Sequence, residues 1–262
     1  MNVICYVDGF NLYHGLRSKG LQRYYWLDLW KLTERFLLPN QELREVVYCT
    51  SRVKKNPPSR KRQRLYIDAL EAFRPNIKTL YGHYLAKEVR CRRCGLTYLR
   101  HEEKMTDVNI ANQLLIDAFD NKFDTAILIS GDSDLVPSIR TIRERFPEKR
   151  VFTLFPPNRT SKKLISDSHG FRNLNEKAIA QSQLPDLITN IKGKLIIRPP
   201  EWSWKITPAS TKSEIGRRAC RLRQGGLSKL LLHSISVFFQ VKPKMVVYFS
   251  FAVFRFYEKP QL

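Results

Sequence analysis

From Ala126 to Pro137 the chain reads AILISGDSDLVP, a short apolar run that ends abruptly in a polar turn. A run this short and rich in Ile and Leu is typical of a strand buried on both faces, as in a parallel sheet. Gly131 permits a tight turn, and Pro137 falls in the first turn of a following helix, where its missing N–H costs little. The pattern therefore predicts Asp132 and Asp134 at the carboxyl end of a central strand, the edge where open α/β sheets bind ligands.

Two carboxylates this close together repel each other, so they need a cation, a shared proton or good solvation. A hard cation such as Mg²⁺ accepts carboxylate oxygens and keeps several waters, which suits a phosphate substrate.

The N-terminal residues repeat this pattern. Val3 to Val7 form a buried-type apolar run, which stops at Asp8, Gly9 and Asn11. Taken alone, Asp8 could simply cap a helix, and Asn11 could do the same or form an Asx-turn. A second strand that ends in Asp favours a shared role for the two strand ends.

A fourth carboxylate precedes a strong helical pattern over Val108–Phe119. Asp107 falls on the apolar stripe of that helix, where carboxylates are rarely buried unless they are paired. It could be an acidic residue of the first turn, capped by Thr106 and favoured by the helix dipole. We favour the interpretation that the helix start directs Asp107 into the cleft, with Lys104 just outside it, in reach of a phosphate or a carboxylate.

Strand and helix patterns alternate along the first 174 residues, which predicts a doubly wound, mainly parallel α/β sheet. The predicted strands cover residues 3–7, 45–50, 77–81, 124–129, 149–155 and 169–174, and the predicted helices cover 25–38, 59–73, 108–119 and 136–145.

The net charge of +22 favours a polyanionic partner, most often nucleic acid. Residues 51–64 hold seven basic residues and no acid. Two prolines interrupt this segment, and Ser59 can cap the helix that follows. Arg60 and Arg62 then lie where they could bind phosphates, although a solvated basic surface is the alternative.

The five cysteines are odd in number and unevenly spaced, unlike a secreted disulfide scaffold. Cys91 and Cys94 form a CxxC pair that resembles half of a zinc knuckle, and only His83 and His101 lie near enough in sequence to complete it. We favour the alternative of two ordinary thiols on a basic hairpin. With no signal peptide before the first strand and no apolar run of about 18 residues, we expect a cytoplasmic protein without a transmembrane segment.

Three separated motifs carry a family resemblance: VDGFN at 7–11, Asp107 opening a helix, and SGDSD at 130–134. With these in order, the chain resembles the NYN domain, and more narrowly the LabA-like branch of the PIN-like nuclease superfamily. The resemblance covers about Met1 to Leu174, with a familiar RPPEW at 198–202 and a cysteine pair such as some relatives carry. It implies a three-layer PIN-like, Rossmann-like fold and a metal-dependent endoribonuclease.

The resemblance also implies specific site residues. The catalytic and metal-binding set is Asp8, Asp107, Asp132 and Asp134, with Mg²⁺ or Mn²⁺ as cofactor. Substrate contacts are expected from Asn11, Ser130, Ser133, Lys104, Arg60 and Arg62. RNA is the expected partner, no small-molecule cofactor is expected, and a structural Zn²⁺ at Cys91 and Cys94 and a homodimer are left open. The alternatives are a non-catalytic RNA-binding or regulatory module, and a nuclease that acts on DNA or a nucleotide.

We expect three regions: an NYN domain at 1–175, a connecting segment at 176–204 and a basic, apolar tail at 205–262. The tail holds eleven Lys or Arg and two Glu, so it carries +9 of the total charge and leaves +13 for residues 1–204. It could be a docked hairpin, a surface that binds membrane or nucleic acid, or a poorly ordered extension. We favour the last, because clean amphipathic spacing and helix caps are missing there.

Overall fold

The computed structural model describes residues 1–53, 56–90 and 92–203, leaving aside the side chains of 84–87 and 98–104. The predicted tail at 205–262, together with Trp204, Lys54, Lys55 and Cys91, lies outside the described residues.

A seven-stranded sheet forms the centre of the fold, in the order β4-β3-β2-β1-β5-β6-β7. Six strands are parallel, and only β4 runs antiparallel to its neighbour β3 at one edge. The predicted α/β fold with a mainly parallel sheet is confirmed. The strands are β1 (Asn2–Asp8), β2 (Glu42–Ser51), β3 (Ile77–Arg90), β4 (Thr97–Lys104), β5 (Thr125–Ile129), β6 (Arg150–Phe155) and β7 (Gly170–Asn173).

Helices cover both faces of this sheet. They are α1 (Gly9–Ser18), α2 (Leu29–Glu34), α3 (Pro57–Phe73), α4 (Thr106–Phe119), α5 (Val136–Arg145), α6 (Lys162–Asp167) and α7 (Glu176–Gln181). Alternate residues of β1 belong to opposite cores: Cys5 packs in the core that includes Leu12 and Leu70, and Tyr6 packs in the core that includes Ile110 and Ile139. The two-sided burial explains why the central strands are continuous apolar runs.

The order of the strands places the site. β1 lies between β2 and β5, and Val7 of β1 pairs with Ile129 of β5. The residues that follow these pairs, Asp8 and Ser130, therefore come out side by side at the carboxyl edge of the sheet.

Two predicted helices differ in the structure. The pattern over 25–38 gives only α2, preceded by a short 3-10 turn at Gln22–Tyr24, because Asp28 caps α2 by accepting a hydrogen bond from the Lys31 N–H. The helix predicted from Ser59 begins at Pro57 with Asn56 as its cap, since prolines fit the first helical turn, where no N–H is needed. The prolines therefore start α3 and do not interrupt structure.

The third strand is much longer than the predicted 77–81. β3 continues to Arg90 and pairs with β4 as an antiparallel hairpin, which agrees with the hairpin predicted around the cysteines. Its second half contains Lys87, Glu88 and Arg90, so it lacks the continuous apolar run by which a buried strand is recognised.

Residues 176–203 also pack against the sheet domain. They form α7 and a two-stranded antiparallel hairpin of β8 (Leu187–Thr189) and β9 (Leu195–Ile197). Ile179, Ile188 and Ile196 are buried in the same core as Val3. Arg198 then donates hydrogen bonds to the carbonyls of Arg23 and Trp202, which holds the end of this segment near the start of α2.

Candidate functional site

Asp8 is the most buried of the four predicted aspartates, with 6% of its surface exposed. One carboxylate oxygen accepts a 2.9 Å hydrogen bond from the Asn11 N–H and caps α1, and the other accepts a 2.9 Å bond from the Ser130 hydroxyl. The capping role expected of an isolated Asp at this position is therefore present. The bond to Ser130 adds a link across to the neighbouring strand end.

The turn after β5 is held by the same group of residues. The Ser130 Oγ accepts a 3.0 Å bond from the Asp132 N–H, and the Asn11 Oδ1 accepts a 3.0 Å bond from the Gly131 N–H. Asp132 in turn caps a short 3-10 turn by accepting from the Asp134 N–H at 3.0 Å. Ser130 and Asn11 thus connect the two strand ends.

Gly131 is required by a close approach, in addition to the turn that the sequence predicts there. Its φ is not in the left-handed region, which among the described glycines contains Gly20, Gly95 and Gly193. A Cβ at residue 131 would lie 2.1 Å from the carbonyl oxygen of Arg159. The loop after β6 therefore packs directly on the loop after β5, and only Gly leaves room for it.

The start of α4 brings in the third aspartate. Met105 precedes the helix in a left-handed conformation, with φ at 76°, and Thr106 is the first helical residue. Thr106 is therefore not the side-chain cap that the alternative interpretation of Asp107 requires. Its hydroxyl lies 3.4 Å from that of Ser51 at the end of β2, so the helix start sits at the same sheet edge and Asp107 faces the site.

These side chains enclose what we call the acidic pocket, a cavity of about 320 Å³. Three of the four predicted aspartates, Asp8, Asp107 and Asp132, line it together, as does Asn11. Asp134 is exposed and is not among the lining residues. The complete lining consists of Asp8, Phe10, Asn11, His14, Thr106, Asp107, Asp132 and Arg159.

The remaining predicted substrate contacts lie outside the acidic pocket. Ser130 is fully buried behind Asp8, and Ser133 is half-buried in the 3-10 turn. Arg60 is exposed on the first turn of α3, whereas Arg62 is half-buried and donates to the Ser59 hydroxyl. Lys104 ends β4, and its side chain is outside the described part of the structure.

Two of the four residues in the zinc hypothesis lie outside the described structure, namely Cys91 and the side chain of His101. Cys94 is an exposed free thiol and His83 is exposed at the start of the outer part of β3. The zinc site therefore stays a prediction.

The acidic pocket perturbs two titratable groups. Burial raises the pKa of Asp8 above its ordinary value, the bonds from Asn11 and Ser130 oppose this, and the negative charge of Asp132 adds to the rise. Burial lowers the pKa of His14, as do the positive charges of Arg159 and Arg17. His14 is therefore held in its neutral form, and Asp8 binds its proton more tightly than an exposed carboxyl.

Sequence reasoning missed four lining residues: Phe10, His14, Thr106 and Arg159. His14 stands three residues after Asn11 on α1, so helical spacing could have identified it. Arg159 follows β6 at the same carboxyl edge, so the rule that located Asp132 applies to it as well. The guanidinium of Arg159 forms no ion pair with a carboxylate among the described residues.

The donor chemistry of the acidic pocket suits a hard divalent cation, because carboxylate oxygens are the ligands that Mg²⁺ prefers. The Asp107 carboxylate has no hydrogen-bond or ion-pair partner in the described ranges. Within those same ranges, however, no group of three or more His, Cys, Asp or Glu side chains is arranged to hold a metal ion. The arrangement therefore fits an ion held by one or two carboxylates and completed by substrate and water, and it does not form a closed metal cage.

A second cavity of about 330 Å³ adjoins the first and shares Phe10 and His14 with it. We call it the aromatic pocket, because its walls include Tyr13, Tyr25, Tyr48, Tyr66 and Trp202. Polar side chains of α3 and the residues before it, among them Arg62 and Gln63, form part of its lining.

No helix among the described residues has both the length and the apolar character needed to span a bilayer.

Comparison with known proteins identifies a family, and the matches include one curated protein and one solved structure. Residues 2–175 match the NYN domain family. The chain is 28% identical to 6-hydroxy-3-succinoylpyridine 3-monooxygenase HspA of Pseudomonas putida (strain DSM 28022 / S16), over 75% of this chain and 74% of that protein. A crystal structure of a protein of unknown function from Vibrio parahaemolyticus RIMD 2210633 aligns with a TM-score of 0.45 and 18% identity, over 67% of this chain and 93% of that one.

Proposed function

This chain belongs to the NYN domain family, and from that premise we propose that it is a metal-dependent endoribonuclease whose active site is the acidic pocket. NYN domains are part of the PIN-like nuclease superfamily, which favours a hydrolase that acts on phosphodiester bonds. The observation that carries the proposal is the meeting of Asp8, Asp107 and Asp132, from three distant parts of the chain, in one cavity.

Asp107 and Asp132 are the residues that would hold a Mg²⁺ or Mn²⁺ ion, with Asp8 behind them. When bound, such an ion supplies charge neutralisation on the phosphate oxygens and a more acidic water. The chain itself positions the carboxylates: Ser130 donates to the Asp8 carboxylate and accepts from the Asp132 backbone N–H, so it connects the Asp8 side chain to the turn that carries Asp132.

Arg159 supplies the positive side of the acidic pocket. Because its guanidinium has no carboxylate partner within the described residues, it is available to bind a non-bridging phosphate oxygen. The same charge keeps His14 neutral, so His14 can accept or donate a hydrogen bond to the substrate without adding a cation.

The charge of the chain supports a nucleic-acid substrate. Residues 1–204 alone carry +13, so attraction to a polyanion does not depend on the tail. The same proposal has four further parts. They are RNA as the substrate, placement in the LabA-like branch, a cytoplasmic location, and a secondary role in substrate binding for Asp134, Arg60 and Lys104.

The test is a panel of single-stranded RNA and DNA oligonucleotides incubated with Mg²⁺, Mn²⁺ or EDTA. We expect cleavage of RNA that EDTA abolishes and that Asp132→Asn reduces by about 100-fold or more, since it removes charge from the reacting centre. RNA binding should be largely kept. Asp68→Asn is the matched control, because Asp68 lies on α3, lines neither pocket and forms an ion pair with Arg64 one helical turn before it. Cleavage that persists in EDTA would refute the metal mechanism.

Metal binding has a readout that does not need activity. Mn²⁺ at 100 times its dissociation constant should stabilise the fold by about 2.7 kcal/mol, visible as a higher Tm. Asp132→Asn should remove that increase and Asp68→Asn should not. An equal Mn²⁺ response in all three proteins would place the ion elsewhere.

A second candidate is a non-catalytic RNA-binding module, and the lack of a preformed three-ligand group among the described residues favours it. RNA binding without turnover in any metal would establish this alternative over the nuclease.

A third candidate is oxygenation of a small aromatic ring, which is what the name of the Pseudomonas putida relative states for that protein. The observation in its favour is the aromatic pocket, whose volume and lining suit a small ring. Oxygen consumption with 6-hydroxy-3-succinoylpyridine and a reduced nicotinamide or flavin donor would test it, with no consumption above the background rate counting against it.

A further inference from the structure

The aromatic pocket is built to surround a flat ring. Tyr13 stacks on Tyr25, with ring centroids 4.9 Å apart and planes 29° from parallel. Trp202 meets both Tyr25 and Tyr66 edge-on, at 5.6 Å and 6.3 Å. These four rings come from α1, the turn before α2, α3 and the segment after β9, and Tyr48 of β2 adds a fifth, so tertiary packing has gathered five aromatic side chains around one cavity.

One polar group of this pocket is left without a partner. The Tyr25 hydroxyl is buried and has no hydrogen bond of good geometry among the described residues. Burial is the first cause that raises the pKa of Tyr25, and the nearby Tyr13 hydroxyl is the second. A buried hydroxyl with no partner costs free energy, so a ligand that bonds it would recover that cost.

Two other polar groups of this pocket, on Tyr66 and Gln63, differ from the Tyr25 hydroxyl. Tyr66 donates to the Leu27 carbonyl at 2.7 Å, and Gln63 donates to the Ser51 carbonyl and accepts from the Val53 N–H. These side chains are used inside the protein. The Tyr25 hydroxyl therefore marks the position at which a ligand edge with donor or acceptor atoms is expected.

The two pockets are neighbours, since Phe10 and His14 line both. One pocket is acidic, with Arg159 for a phosphate, and the other is aromatic, with Arg62 in its lining. A ligand that fills both must join an anionic group to a planar ring with polar edges. A nucleotide unit of a polynucleotide has this composition.

We infer that the aromatic pocket receives one unstacked nucleobase of a single-stranded RNA, whose adjacent phosphate lies in the acidic pocket. This inference rests on the proposed function and adds the base-binding subsite to it. A base within a duplex is stacked and paired, so only a single-stranded or looped base can enter the cavity that the tyrosine and tryptophan rings line. Aromatic walls can stack on any of the bases, and the Tyr25 hydroxyl supplies a polar contact at the base edge.

Binding of a labelled single-stranded RNA to the full chain in EDTA, followed by fluorescence anisotropy, tests this without any cleavage. Tyr13→Ala should raise Kd about 10-fold (~1.4 kcal/mol), because stacking on one face of the base is lost. Phe119→Ala is the matched control: Phe119 is an exposed aromatic on a helix, 65% exposed against 42% for Tyr13, and lies outside both pockets. Equal effects of the two substitutions would overturn the inference.

Tyr25→Phe separates ligand contact from structural support. It keeps the ring and removes only the unpartnered hydroxyl, so the Tm should stay the same or rise. The Kd for RNA should nevertheless increase about 3- to 10-fold. A lowered Tm with unchanged Kd would mean that the hydroxyl serves the fold, and would overturn its assigned contact.

A series of the same RNA with one abasic position at a time locates the base. At one position the abasic RNA should bind wild type and Tyr13→Ala equally, since no base is left to stack. A Tyr13 effect that persists at every abasic position would overturn the inference, as would a free nucleoside that binds as tightly as the RNA. If no metal supports cleavage but the Tyr13 effect remains, the proposed nuclease function fails and the base subsite stands. If the protein cleaves RNA but Tyr13→Ala leaves the Kd unchanged, the proposed nuclease function stands and the base subsite fails.

Discussion

The acidic pocket and the aromatic pocket have nearly equal volumes, about 320 and 330 Å³, and share two residues, yet they are built in different ways. The acidic pocket is made where strands end and helices begin, by residues such as Asp8 and Asp132 that also cap the following turn. The aromatic pocket is made by side chains of elements far apart in the chain, among them Tyr13 and Trp202.

This difference has a physical basis. A polar residue at the end of a buried strand is needed locally, because the next helix or turn has N–H groups without partners. An aromatic ring on the wall of a pocket has no such local requirement, and its position is set only by tertiary packing. We therefore expect substitutions in the acidic pocket to act on the chemical step and those in the aromatic pocket to act on binding.

The largest effect should come from Asp8→Asn. Cleavage should fall about 100-fold or more, since a negative charge is removed from the reacting centre. The Kd for single-stranded RNA in EDTA should change little, because the aromatic pocket is untouched. Comparison of kcat with Kd checks this, and a Kd that rises in parallel with the loss of kcat would mean that the two pockets are not separable.

Gly131→Ala should have the next largest effect. The new Cβ would collide with the Arg159 carbonyl, which is backbone and cannot rotate away. The loops after β5 and β6 must separate, at a cost of about 1–3 kcal/mol, and Asp132 and Arg159 move apart. Cleavage should drop at least about 10-fold, as when a supporting contact of a metal site is lost.

Gly193→Ala provides the contrast to this substitution. Gly193 has a left-handed φ of 75° and no atom within 4 Å of an added Cβ. It should lower the Tm through backbone strain alone and leave kcat unchanged. Equal losses of kcat in both variants would remove the special role of the close approach at Gly131.

The same contrast shows how much of the molecule could be predicted from the sequence. The parallel sheet, the strand ends after Val7 and Ile129, and the convergence of Asp8, Asp107 and Asp132 were all predicted, because local residue patterns encode them. The lining of the acidic pocket by Arg159 was missed, although its place after β6 was informative.

Other features could not be predicted from any local pattern. Glycine is needed at position 131 because the carbonyl of Arg159 packs against it, and Arg159 is 28 positions away in the sequence. The aromatic pocket depends on Trp202 reaching Tyr25 and Tyr66, which no spacing in the sequence indicates. The exposed position of Asp134 follows from the 3-10 turn capped by Asp132, which lies just before the helix predicted at 136–145 and which the sequence pattern did not indicate.

A smaller effect concerns stability, for which Asp8 and Asp28 form a matched pair. Both are buried, at 6% and 1% exposure, and both cap a helix. Asp28 is bound by the Arg74 guanidinium at 2.6 Å, whereas Asp8 has no cation partner among the described residues. Asp28→Asn should therefore destabilise the fold by about 1–3 kcal/mol, and Asp8→Asn should stabilise it.

The effect of Asp8→Asn should depend on pH in a defined direction. Burial raises the pKa of Asp8 in the folded state above its ordinary value of 3.8. Tighter binding of a proton by Asp8 in the folded state stabilises the fold. This contribution is complete below pH 3.8 and is lost as the pH rises through the folded-state pKa of Asp8. The Tm advantage of Asp8→Asn should therefore be larger at pH 7 than near pH 4. A constant difference across this range would mean that Asp8 titrates normally.

The smallest effect should come from Asp134→Asn. The side chain is exposed and does not line the acidic pocket, although the Asp134 backbone N–H donates to Asp132 and is kept in this variant. We expect less than about a threefold change in kcat/KM, because an exposed charge outside the cavity is screened by solvent and salt. The measurement is kcat/KM at low and high salt beside Asp132→Asn. A loss as large as that of Asp132→Asn would show that Asp134 turns into the acidic pocket when metal and substrate bind, and would restore the four-aspartate site that the sequence predicts.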